Sequence, residues 1–249
     1  MTDTQASATT TSATIRRAAA YSLLADAFAF PDESAVTRLQ QSAAAAQSLC
    51  PGSAVSGLAA LASGAKAGRL QPLWADAFTV GSSPDCPSFE TAYFSTDATQ
   101  QTQRMADVAG FYRAFGVDAS VVGFRPDDIS VELEFMSYLC RKQAHAAAHM
   151  GAPRVRQVLR AQRLFLSDHL GQWGEALGSR LAGAVGASFY GSAGRALADW
   201  LAADLAELAV TPPARADGPD PDWRRDVPAD EPCDADGAQI ITPEELLVV

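Results

Sequence analysis

The sequence predicts an all-α fold, a single globular multi-helix domain with mobile N- and C-terminal tails. Three observations lead there. Ala, Leu, Arg and Gln dominate the central part of the chain and β-branched runs are scarce, a composition that favours helix over strand. Apolar residues recur at helical spacing, as at Tyr21, Leu24, Ala25 and Phe28. Pro31, Pro51, Pro87, Pro126 and Pro153 fall between the periodic stretches, where a ring that removes the amide donor is tolerated.

Taken in order, residues 1–13 are Thr, Ser and Ala with little to bury, and read as a mobile tail. The first helix is expected over residues 14–30, with its apolar stripe inward and Arg16, Arg17 and Asp26 facing water. Two arginines ahead of an apolar run imitate a twin-arginine export signal. Asp26 interrupts the run, Ile15 precedes the pair and Ala18 and Ala19 follow it, so the segment reads as a core helix of a protein that stays in the cytoplasm. Further helices are expected near residues 33–49, 53–63, 66–80 and 98–116. The next, over 127–149, opens on Pro126, Asp127 and Asp128, where carboxylates complement the positive end of the helix dipole by about 0.3 to 1 kcal/mol each. Its residues Ile129, Leu133, Met136 and Cys140 form an apolar stripe. Helices near 152–171, 173–183 and 189–209 complete a domain spanning residues 14–210.

Residues 211–249 form a Pro- and Asp-rich tail. Within it "AQIITPEELLVV" regains apolar character, with Thr242, Pro243 and Glu245 placed as N-cap, first and third positions of a short helix that either docks on the body or stays mobile.

The chain has 249 residues and a formal charge of -10, which argues against a nucleic-acid ligand and leaves cationic partners or simple solubility as its meaning. No apolar run approaches the roughly 20 residues needed to span a bilayer. Cys50, Cys86, Cys140 and Cys233 are far apart and read as reduced thiols.

The motifs that carry chemistry are weak. His145 and His149 share a helical face but lack an acidic neighbour and a third ligand, so a helix face is preferred to a metal site. "GSAGR" at 191–195 lacks the ending of a phosphate loop and reads as helix entry or close packing. No nucleophile elbow is present. Asp127, Asp128, Glu132 and Glu134 cluster, and helix-terminal chemistry explains half of them. No catalytic residue, metal or cofactor is assigned, and the protein is expected not to be an enzyme.

Two segments together, "CPSFETAYFSTDATQQTQRMADVAGFYRAFGV" at 86–117 and "FRPDDISVELEFMSYLCRKQ" at 124–143, resemble the TorD/DmsD/NarJ family of redox-enzyme maturation chaperones. The chaperones of type II dimethyl sulfoxide reductase-like molybdoenzymes are the most similar, and the likeness extends more weakly over residues 15–209. The resemblance implies a cytoplasmic helical protein, monomeric or weakly dimeric, without activity of its own. It would bind the apo catalytic subunit of a molybdenum oxidoreductase, and its twin-arginine leader, and assist molybdopterin insertion before export. Carried over by position, the client-binding elements are Pro87, Phe89, Glu90 and Tyr93, and Pro126, Asp127, Asp128, Glu132, Glu134 and Phe135. Many members have Pro-Asp-His where this chain has Pro126-Asp127-Asp128, and a carboxylate at Asp128 still suits an arginine-bearing peptide. The carboxylates and Tyr93 are the expected contacts, as an acidic rim beside an apolar groove, with the apolar stripes and Phe111, Tyr112 and Phe115 mostly core. The rival readings are an all-helical small-ligand sensor and, behind it, a carboxylate and histidine metalloenzyme.

Overall fold

The computed structural model describes residues 2–78, 86–94, 97–117 and 125–222, with side chains from residue 11 onward. Among them are nine α-helices and one 3-10 turn: α1 (Thr2–Phe28), α2 (Glu33–Leu49), α3 (Ser56–Ala62), α4 (Ala67–Phe78), η1 (Glu90–Tyr93), α5 (Ala98–Ala114), α6 (Ile129–His149), α7 (Ala152–Asp168), α8 (Leu170–Val185) and α9 (Phe189–Glu207). The expected helices are all present, with ends displaced by a few residues except at the start of α1. No strand forms among the described residues beyond one isolated bridge, so the fold is all-α.

Helix α1 lies at the centre, packed on α6, α2 and α9. Its small residues let neighbours approach from several sides, so Ala18, Ala19 and Ala20 are buried together with Tyr21, Leu23 and Leu24. A one-sided stripe would leave Arg17 in water; the structure buries it. The Arg17 guanidinium donates to both oxygens of Asp204 on α9, at 2.5 and 2.9 Å, and to Gln162 Oε1 on α7 at 2.6 Å. The Tyr21 hydroxyl donates to the same carboxylate at 2.7 Å. Burial opposes the charge on Arg17, but the hydrogen bonds and charge of Asp204 outweigh it and hold the guanidinium protonated. Arg16 alone faces water as expected, while Asp26 is half-buried and lies 3.6 Å from Arg38.

Helices α6, α7, α8 and α9 follow as neighbours, and the chain turns between α7 and α8 at His169, earlier than the sequence reading placed the break. Gly171 permits that turn, since a Cβ there would lie 2.3 Å from the carbonyl oxygen of Leu166. Between α8 and α9 the backbones touch at Gly178 and Gly194, where a Cβ on either would lie 2.5 or 2.6 Å from the other's carbonyl oxygen. The glycine-containing 191–195 stretch therefore serves helix entry and close packing, with Ser188 Oγ accepting from Gly191 N at 3.0 Å. Cys50, Cys86 and Cys140 are buried thiols, and burial pushes Cys140 up to about 12.

The two ends differ from the simplest reading. Helical backbone begins at Thr2, because Ala, Ser, Thr and Gln can extend a helix already nucleated by its packed half. Residues 211–222 lie against α8 and η1: Ala216 N donates to Gln172 O and Asp220 N to Ala92 O, both at 2.8 Å. Cys233 and the expected 242–249 helix lie outside the described residues.

Candidate functional site

The two segments singled out in the sequence meet in space. Residues 86–89 run extended into η1 and lie beside the entry to α6, where Phe89 and Asp128 form an antiparallel bridge. Glu90 N donates to Asp127 O at 2.9 Å and Ile129 N to Ser88 O at 2.7 Å. Asp128 is the N-cap of α6: one carboxylate oxygen accepts from Ser130 N (2.9 Å) and Oγ (2.6 Å), and the other from Ser88 Oγ at 2.9 Å. Asp127, one residue earlier, turns inward and accepts from Thr91 N at 3.2 Å and Thr91 Oγ1 at 2.8 Å. Arg125 closes the arrangement from outside, 3.0 Å from Asp127 and with its guanidinium 4.2 Å from the centre of the Phe89 ring.

Beneath this stitch lies a buried acidic centre. Glu90 accepts from Arg104 of α5 at 2.7 Å and faces His169 Nδ1 at 3.2 Å. Arg104 also donates to Gln172 Oε1 at 2.7 Å, and its guanidinium covers the Phe94 ring at 3.7 Å. Glu132 accepts from Trp173 Nε1 at 3.3 Å through one oxygen, while its other oxygen is buried without a partner. Burial first, and then the negative charges of Glu90 and Asp127, push the Glu132 carboxyl well above the usual range and so favour its neutral form. Tyr93 packs its ring on Trp173, at 5.1 Å between centroids, and donates its hydroxyl to Pro87 O at 3.1 Å. Tyr112 donates to Pro126 O at 2.7 Å.

This geometry redistributes the roles expected of the ten candidate residues. Pro87, Glu90, Tyr93, Asp127 and Glu132 are buried, so the carboxylates at 90, 127 and 132 form no solvent-facing rim. A carboxylate in an apolar interior needs donors, and the fold supplies Arg104 to Glu90, and Arg125 and Thr91 to Asp127, with His169 Nδ1 facing Glu90. Phe89, Pro126 and Asp128 are half-buried at the surface, and Glu134 is exposed, 2.6 Å from Arg141. Phe135 is buried among Tyr112, Phe115 and Phe165. Ile129, Leu133, Met136 and Cys140 are core, as their spacing implied.

Sequence reading passed over Arg104, Arg125, His169 and Trp173. Arg125 adjoins the Pro-Asp-Asp run, and an arginine beside buried acids was a signal within reach. The others come from α5, α8 and the turn before it, and nothing local marks them. Among the described residues no three His, Cys, Asp or Glu side chains converge as a metal ion would need. His145 and His149 lie with their rings tilted by 47° and 4.6 Å between centroids on the exposed side of α6. No described helix is long and apolar enough to cross a membrane.

Comparison with known proteins places this site in context. The family described as nitrate reductase delta subunit matches residues 36–178, more than half of the chain and inclusive of both stitched segments. The perchlorate reductase assembly chaperone protein of Dechloromonas aromatica (strain RCB) is 41% identical over 78 residues. That match covers 30% of this chain and 34% of the relative, so the chain spans about a third of its length. A crystal structure of a putative redox enzyme maturation protein from Archaeoglobus fulgidus superposes with a TM-score of 0.39 at 21% identity, covering 60% of this chain and 93% of the other.

Proposed function

Because the chain belongs to the nitrate reductase delta subunit family, a family of redox-enzyme maturation chaperones and not of enzymes, we propose that it holds the apo catalytic subunit of a molybdenum oxidoreductase during assembly. The proposed client is a type II dimethyl sulfoxide reductase-like enzyme, a reading supported by the stretch shared with a perchlorate reductase assembly chaperone. Holding takes place in the cytoplasm before export, keeps the subunit open for molybdopterin insertion, and includes the client's twin-arginine leader. The chaperone acts as a monomer or weak dimer and carries no cofactor.

The observation that carries this reading is the match over residues 36–178, which contains the whole η1–α6 stitch. The proposed contact surface is its outer layer: Phe89 and Pro126 for apolar client side chains, Asp128 and Glu134 for client arginines. Charge-assisted arginine–carboxylate pairs are directional, and their partial exposure keeps them weak enough for release. Pro87, Glu90, Tyr93, Asp127 and Glu132 hold that layer in place from below. The chemistry of the function is binding and timing, since a chaperone that never released its client would block maturation.

The test is purification of the tagged protein from its native host under conditions that induce anaerobic respiration, with mass-spectrometric identification of what accompanies it. A molybdoenzyme catalytic subunit lacking its cofactor is the expected companion. Recovery of only cofactor-loaded enzyme, or of no molybdoenzyme subunit, contradicts the proposal.

A further inference from the structure

Helix α7 carries a basic stripe that the maturation reading does not use. Its sequence, APRVRQVLRAQRLFLSD, has no acidic residue before its last position. Val158, Ala161, Gln162, Phe165 and Leu166 are buried against the body, while Arg156, Arg160 and Arg163, spaced i, i+4 and i+7, share the opposite, exposed face. These three arginines form no ion pair among the described residues, although the chain as a whole carries a net charge of -10. Three adjacent cations without counter-charge repel one another, and an anionic segment placed over them relieves that repulsion.

The chain supplies such a segment. Residues 226–249 contain seven Asp and Glu and no Lys or Arg, and Asp230, Glu231, Asp234 and Asp236 fall within seven positions. The route is short. Residues 211–222 cross the start of α8, through the Ala216–Gln172 bond and the Arg215–Glu175 pair, and reach η1 through the Asp220–Ala92 bond. There η1 abuts the C-terminal end of α7, with Glu90 3.2 Å from His169. Eight residues from 222 to 230 can span up to about 26 to 29 Å, about the length of a 17-residue helix.

We propose that the acidic segment 226–249 of this chain docks on the Arg156, Arg160 and Arg163 face of α7. Each exposed pair is individually weak, but the covalent tether raises the local concentration of the segment to the millimolar range, so a few pairs suffice. A docked tail leaves the face open to displacement by a more strongly anionic partner.

The test uses the full chain, isotope-labelled for NMR and carrying a nitroxide at Cys233, with Cys233→Ser as the labelling blank; Cys50, Cys86 and Cys140 are buried. At low salt the amide signals of the outer α7 face lose roughly half or more of their intensity, and they recover in about 1 M NaCl, where the Debye length is about 3 Å. They also recover in the Arg156→Glu/Arg160→Glu/Arg163→Glu variant. The Asp230→Asn/Glu231→Gln/Asp234→Asn/Asp236→Asn variant, which leaves residues 1–222 untouched, gives the same recovery and decides the matter should the arginine variant misfold. Broadening centred away from α7, absent altogether, or insensitive to both sets of charges overturns the proposal. Broadening transferred between nitroxide-bearing and isotope-labelled copies in a mixed sample assigns the contact to a second molecule and also overturns it.

Discussion

Replacing Asp127 with Ala separates a structural staple from a client contact. The carboxylate is fully buried and accepts from Thr91 N, Thr91 Oγ1 and Arg125. Its removal loses two hydrogen bonds worth about 1 kcal/mol each and leaves the Thr91 amide buried without an acceptor. The Arg125 pair adds no more than about 1 kcal/mol, because that side chain is 45% exposed and screened by solvent. The sum is a destabilisation of about 2 to 4 kcal/mol, or a fall in Tm of about 5 to 15 °C for a domain of this size. Urea unfolding followed by far-ultraviolet circular dichroism reads it directly. Asp127→Asn retains an acceptor for Thr91 and loses less, while Asp128→Ala loses an N-cap and about 1 kcal/mol. An Asp127→Ala protein within about 0.5 kcal/mol of wild type refutes the assignment of this carboxylate to the fold.

Three more outcomes follow from the packing. Arg17→Met strands the buried Asp204 carboxylate and costs about 3 to 5 kcal/mol, whereas Arg17→Met with Asp204→Leu recovers most of the loss, as a double-mutant cycle in denaturant will show. Glu132 has its folded pKa raised, so the folded state holds a proton that the unfolded chain releases above its ordinary carboxylate pKa; stability therefore falls as pH rises through that window, by up to about 1.4 kcal/mol per unit. Glu132→Gln flattens that slope in denaturation curves taken from pH 5 to 8, a range set by the ordinary carboxylate pKa near 4.3, and an unchanged slope places the titration elsewhere. Gly194→Ala drives a Cβ toward the Gly178 carbonyl and destabilises by at least about 2 kcal/mol, while Gly110→Ala, where nothing lies within 4 Å, does not.

Helix positions were legible because their causes are local. Prolines at the boundaries, the alanine-rich periodic stretches and the Pro126-Asp127-Asp128 entry each act within a turn or two of themselves. Arg17 was not legible from its own neighbourhood, where it looks like half of a solvent-facing pair. Its burial depends on Asp204, 187 residues away, which sits among Leu197, Leu201, Leu205 and Leu208 on the buried face of α9. A lone carboxylate in an apolar stripe is the signal that a cation must arrive from elsewhere. The candidate site divides in the same way. The two segments were recognisable in the sequence, but whether Glu90 and Glu132 face client or core was decided by Arg104, His169 and Trp173 on three other parts of the fold. The acidic cluster was visible, and the donors that turn it inward were not.

The most direct measurement of the central claim is the affinity of the apo catalytic subunit, recovered from the native host, for chaperone variants altered only in the outer layer of the stitch. The account predicts that Phe89→Ala with Asp128→Asn weakens binding at least about tenfold, or 1.4 kcal/mol, while circular dichroism keeps the wild-type helical signal. Undiminished affinity in that variant, with the fold intact, contradicts it.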